Sequence, residues 1–204
     1  KTLTPSPLFA SGVLGAYAIN NYGTKEQKEK YLPLIASGEL TTSVAVDESS
    51  HHNPYDTLLI AKKSSDEYIL SGKKNFVIDG TSSDLLIVLA RTSGKKGDLT
   101  GLTLFLVDPT NEGIDRIKLE MADSRNYANI IFDNVKISSK NILGDIEAGG
   151  EAIDDVLDIG RIAMSAEMLG NSEAAFETTL DYLKQRKQFG VLIGSFQALQ
   201  HRAA

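Results

Sequence analysis

Apolar positions recur at helical spacing from about residue 6 to 39. They give way to short β-branched runs from 41 to about 142, and return to helical spacing from about 150 onward. In the first stretch Leu8, Phe9, Val13, Ala16 and Tyr17 share one helix face. Gly23 reads as a C-terminal stop. Thr24, with Gln27 three residues on, carries the capping-box pattern of a second helix. Pro33 is expected to close or kink that helix near Leu32. The middle stretch predicts strands over residues 43–46, 58–62, 67–71, 74–77, 85–91, 103–107, 114–118 and 129–132, with turns at 71–72, 79–80 and 93–97. In the third stretch Ile153, Val156, Leu157, Met164 and Leu169 form one stripe. The pattern continues through Phe176, Leu180 and Leu183, and a further helix is predicted from about 194–195.

Short strands with regular turn signals predict an antiparallel barrel or sandwich. No long helical pattern separates the strands, which disfavours a parallel βαβ sheet. The expected fold class is α+β: helices, then an antiparallel β-barrel or sandwich domain, then the start of a helical bundle. The expected boundaries are 1–40, 41–147 and 148–204. Both ends fall inside helical patterns, so the chain reads as a segment of a longer protein. Residues 85–88, 102–107 and 130–132 are the expected β-domain core.

The 204 residues carry 21 Lys and Arg against 27 Asp and Glu, a net charge of −6. That balance argues against nucleic-acid binding, which runs on clustered cations. No apolar run approaches the ~20 residues that span a bilayer, and the leading residues lack the basic and apolar regions of a secretion signal. There is no cysteine, hence no disulfide, thiolate metal site or Cys nucleophile, and a cytoplasmic location is expected. Three histidines make a His-rich metal site unfavoured.

Single features carry modest weight. His51 and His52 read as a solvated loop pair. Asp47 and Glu48 read either as paired carboxylates for acid–base work or as a polar strand end. The two glycines in the 12–20 segment read as close helix packing. Asp158 and Arg161, three apart on a helix, read as a salt pair. Residues 184–188 read as a cationic helix end.

Four segments in order resemble the acyl-CoA dehydrogenase family. They are GTKEQKEKYLPLIASGEL (23–40), LSGKKNFVIDGTSSDLLIVLART (70–92), IIFDNVKISSKNILGD (130–145) and YLKQRKQFGVLIGSFQALQHRAA (182–204). The last is similar, almost position by position, to the family's Y-x-x-x-R-x-Q-F-G-x-x-I-x-x-F-Q-x-x-Q-H signature. The resemblance implies FAD as cofactor and an acyl-CoA thioester as substrate. It also implies α-proton abstraction by a Glu with hydride leaving to flavin N5, and an electron-transfer flavoprotein as acceptor. A homo-oligomer or an assembly of paired unlike subunits is implied as well. Arg186, Gln188 and Phe189 match positions that contact a neighbouring subunit's FAD, and Phe196 and Gln197 match a further FAD-side pair. Phe76, Val77 and Ile78 occupy the place where the family runs an aromatic, Ile and Thr along the flavin. Asp158 and Arg161 match substrate contacts.

The chain departs from the pattern at several points. Asp47 stands for the family's Thr in T-E-P-x-A-G-S-D, and only Glu48 and Asp56 of that run survive. Ile78 stands for a Thr, and Glu120 for a Gly. Gly160 occupies one family position of the catalytic Glu, so any base is expected outside this chain, and the segment alone is expected to be inactive. The expected protein is an FAD-dependent acyl-CoA dehydrogenase. The alternative is a non-catalytic subunit that completes a partner's FAD site.

Overall fold

The computed structural model describes residues 5–123 and 125–204; the first four residues of the expected N-terminal domain lie outside the described residues. Two compact units are present, one within residues 5–161 and one within 162–204.

The first unit opens with a π-helical segment, Leu8–Gly15, that runs into α1 (Ala16–Tyr22). Gly15 permits a close approach: an added Cβ would fall 1.8 Å from Thr42 Oγ1. Gly23 ends α1, and Thr24 caps α2 (Lys25–Ser37) in a full capping box with Gln27. Pro33 does not close α2, contrary to expectation; the helix runs on to Gly38, which ends it at φ 78°. Gln27 also donates through Nε2 to the carbonyls of Lys140 and Ile142, which ties α2 to a distant part of the chain.

The strands are β1 (Thr42–Ala45), β2 (Ile60–Ser64), β3 (Glu67–Ile78), β4 (Leu85–Arg91), β5 (Leu102–Val107), β6 (Ile114–Leu119), β7 (Tyr127–Ser138) and β8 (Ile142–Leu143). They form one sheet in the order β6-β7-β3-β2-β4-β5-β8, with β1 on β4. Most pairs are antiparallel as expected, but β4 pairs both β1 and β2 in parallel, Thr42 opposite Leu85 and Ile60 opposite Arg91. The returning chain reaches β4 through the β2–β3 hairpin, so no crossover helix is needed. Residues 71–72 are no turn: β3 passes straight through them. Gly72, at φ 144°, lies where a Cβ would come 2.8 Å from Leu59 Cα, and the register slips there.

Strand alternation builds two cores. β4 is buried along its whole length. It sends Leu86, Val88 and Ala90 to one cluster with Tyr68, Leu70, Phe105 and Ile130. It sends Leu85, Ile87 and Leu89 to a second, with Leu104, Ala18, Ile19, Ile153 and Val156. The second cluster is the helix-covered face. Ile131, expected inside, is half-exposed, because its neighbours Ile130 and Phe132 take the inward parity of β7.

Helix α3 spans Gly149–Gln185. In the 162–204 unit its end is followed by a hairpin absent from the sequence reading: β9 (Lys187–Gln188) pairs β10 (Val191–Leu192). The cationic run therefore splits between helix and strand. The final helix, α4 (Gln197–Ala203), starts after a 3₁₀ turn at Ile193–Ser195, later than expected. Among the described residues no helix is long and apolar enough to cross a membrane.

Candidate functional site

The rim where β1 ends against the second half of β3 is built around a buried cation. Lys74 follows Leu70 and Gly72 on the inward parity of β3, and its side chain is wholly buried. Its ammonium donates to Glu48 Oε1 at 2.7 Å, to the Val46 carbonyl at 2.8 Å and to Thr57 Oγ1 at 3.3 Å. Burial pushes its pKa down to about 8 against the opposing pull of Glu48. Glu48 also accepts the main-chain N–H of Leu58 and Leu59 at 2.8 and 2.9 Å. The carboxylate thus fixes the loop after β1, and the polar-strand-end reading of Glu48 becomes a structural anchor.

Asp47 is held differently. Its carbonyl accepts the N–H of Asn75 at 2.7 Å, which stitches β1 to β3. Its carboxylate receives His52 Nδ1 at 2.9 Å from each oxygen. An ionised carboxylate only accepts, so Nδ1 is the protonated nitrogen. His52 is therefore no free loop residue. Next along β3, Phe76 adopts φ 53° at a register slip, and its N–H donates to Asn129 Oδ1 at 3.1 Å. The bulge turns the Phe76 ring outward, 47% exposed, while Val77 is buried beneath it. Any contact Val77 makes at the rim is through its main chain. Ile78 lines a cavity of about 410 Å³ with Phe9, Thr41, Asp79, Asp84 and Arg125. Burial raises the Asp79 carboxyl, and Arg125 opposes the shift.

Asp158 and Arg161 pair with each other on α3, as their spacing predicts. One turn after Gly149–Gly150, Asp154 accepts the Tyr55 hydroxyl and Asp155 that of Tyr22. The hydrogen bond to Asp154, with burial behind it, pushes the Tyr55 phenol up to about 12. The sequence reading missed both tyrosines. Arg91 was missed too: it is buried in β4 and donates to the main-chain carbonyls of Tyr55, Thr57, Ser93, Asp98 and Thr100. It ties the loop at 55–57 to the loop at 93–100.

The remaining matched residues lie in the 162–204 unit. Phe189 (φ 52°) and Gly190 (φ 83°) form the two-residue tip of the β9–β10 hairpin. The Phe189 ring is 91% exposed and meets Phe196 edge-on at 6.3 Å between centroids. Arg186 and Gln188 are exposed beside it, and the Arg186 carbonyl accepts the Ile193 N–H at 2.9 Å. Gln197 opens α4. The structure brings Arg186, Gln188, Phe189, Phe196 and Gln197 together here, and Asp47 and Phe76 together at the rim of the other unit.

Three family models match in chain order. The acyl-CoA dehydrogenase N-terminal domain covers residues 2–39, the middle domain 46–135 and the C-terminal domain 147–204. A 3-(aryl)acrylate reductase of Clostridium sporogenes is 36% identical over 96% of this chain and 55% of its own. The mitochondrial short/branched chain specific acyl-CoA dehydrogenase of Bos taurus is 35% identical over 91% of this chain and 44% of its own. The structure of butyryl-CoA dehydrogenase from Megasphaera elsdenii superposes with a TM-score of 0.91 at 31% identity, covering 97% of this chain and 52% of that one. The chain spans about half the length of the relatives it matches.

Proposed function

Because the chain belongs to the acyl-CoA dehydrogenase family, we propose that it forms the central part of an FAD-dependent enzyme that introduces an α,β double bond into an acyl-CoA thioester. The observation that carries this reading is the exposed Arg186–Gln188–Phe189 hairpin, present in full in a chain that also carries a β-domain of the family's form. Its donor chemistry fits FAD. A planar guanidinium forks onto a diphosphate, an amide donates beside it, and a bare phenyl ring packs on an aromatic system. The rim fits in part: the exposed Phe76 ring offers a face to the isoalloxazine, while Asp47 with His52 replaces a hydroxyl. FAD, when bound, supplies the hydride-accepting ring; the residues of this chain bind and orient it.

In this reading Arg186, Gln188, Phe189, Phe196 and Gln197 serve a neighbouring subunit's cofactor, which requires an oligomer. Asp47 and Phe76, with Ile78 and the Val77 main chain, face this subunit's own flavin. Asp158 and Arg161, freed from each other, hold the acyl-CoA. Gly160 has no proton acceptor, so the base is a Glu outside residues 1–204. An electron-transfer flavoprotein takes the electrons away. The three parts 1–40, 41–147 and 148–204 act as helical, flavin-holding and helical domains, a division supported by the spans of the family models. The absence of cysteine supports a cytoplasmic location.

A second reading is favoured by Asp47, Ile78 and Gly160 together: a subunit whose own site is silent and which completes a partner's. The visible absorbance of the purified full-length protein, with turnover of saturated acyl-CoAs by an artificial acceptor, tests both. Yellow, active protein supports the enzyme. Colourless protein that stays inactive with added FAD supports the silent subunit.

A further inference from the structure

Among the described residues the Asp47 carboxylate has no lysine or arginine within ion-pair distance. Glu48 and Lys74 cancel at 2.7 Å within the wall. Asp56 faces Lys96 at 3.5 Å. Asp47 meets His52 Nδ1 at 2.9 Å from both oxygens. Asp47 and Glu48 bring two carboxylates to this wall against the single ammonium of Lys74. The carboxylate is also fixed in place. The stitch from Asn75 N–H to the Asp47 carbonyl sets its backbone beside Phe76, the exposed ring of the rim. His52 Nδ1 meets both carboxylate oxygens and orients the side chain.

We propose that the Asp47–His52 pair makes the flavin of this subunit a poorer electron acceptor, and so favours the reductive half-reaction, in which an α,β-unsaturated acyl thioester is reduced to the saturated one. The inference rests on the flavin placement proposed above and reverses the direction of electron flow given there. A flavin gains negative charge on reduction, so a fixed carboxylate beside it raises the free energy of the reduced form more than that of the oxidised form. A hydroxyl at the same place carries no such charge. In the favoured direction a hydride would pass from the reduced flavin to the β-carbon, and the protonated Glu outside residues 1–204 would give its proton to the α-carbon. The C–C double bond is reduced, the flavin is oxidised, and a reduced electron-carrier flavoprotein restores it. His52 is a positioning residue: it touches Asp47, and Asp47 sets the charge.

The experiment is an equilibrium reduction titration of the full-length, flavin-loaded protein against a reference dye, for wild type, Asp47→Asn and Asp47→Thr. Both variants are expected to move the flavin potential positive. The expected size is about tenfold in the half-reaction equilibrium constant, or about 30 mV for a two-electron couple. Anaerobic mixing adds a second readout: flavin reduction by a saturated acyl-CoA should gain on flavin re-oxidation by its enoyl-CoA in both variants. Flavin retained at the wild-type potential in both variants overturns the inference and leaves the family function standing. Loss of flavin from both variants also overturns it, since Asp47 is then a support of the site and not a tuning group. A wild-type protein that never binds flavin overturns the functional reading itself, and the inference with it.

Discussion

Lys74 shows how far alternation alone can reach into a site. Its parity, two after Gly72 and four after Leu70, turns it inward, yet a lysine at a strand centre gives no sign of which anion meets it. Glu48 was legible as a matched motif residue, but its partner was not, because the two lie 26 residues apart and meet only through sheet pairing. Glu48→Gln is expected to cost about 3–5 kcal/mol, since it leaves a buried ammonium without its counter-charge. Urea unfolding of the variant measures this. The pH dependence of the same pair has a definite sign. The folded pKa of Lys74 is lowered to about 8 from 10.5, so between these values the unfolded chain holds more protons. Stability from this group therefore rises as pH climbs through that window and is lowest below it. Wild type should gain on Lys74→Met between pH values of about 7.5 and 10 in matched urea melts.

At the scale of elements, the strongly patterned pieces were legible and the exceptions have physical causes. β4 and the capping box of α2 follow directly from apolar runs and from Thr24 with Gln27. Pro33 was expected to close or kink α2, but the helix runs through it to Ser37; an interior proline removes one N–H donor and crowds the carbonyl four residues back, a local cost of about 3 kcal/mol that the rest of the helix outweighs. Gly72 was read as a turn because glycine marks turns; here it admits the Leu59 backbone instead. The β9–β10 hairpin was invisible because two-residue strands carry no periodicity. Leu104→Asp in β5 should abolish folding of the sheet, as an unpaired charge in a fully buried site costs on the order of the whole stability. A variant with an unchanged thermal midpoint would contradict the core assignment. Thr24→Ala should cost about 1 kcal/mol through the lost cap, read by the same melts.

For the whole molecule, the family was legible in four ordered segments, while the charge balance of the rim was not, since His52 finds Asp47 only once the loop is folded. In the proposed assembly Arg186→Ala removes a charge-assisted contact of about 1.5–3 kcal/mol, so FAD affinity should fall roughly ten- to hundredfold. The ratio of flavin to protein absorbance after dialysis reports it. Size-exclusion with light scattering should give an oligomer for the flavin-loaded full-length protein; a monomer that keeps its flavin would contradict the shared site. The hairpin tip has a kinetic consequence. Phe189 and Gly190 both hold left-handed backbone within one chain, fixed by the β9–β10 pairing, so the shape offered to a neighbour exists before any neighbour arrives. Encounter should then proceed as the docking of two finished surfaces: the rate of subunit association grows with concentration throughout, with no plateau set by slow rearrangement of this loop.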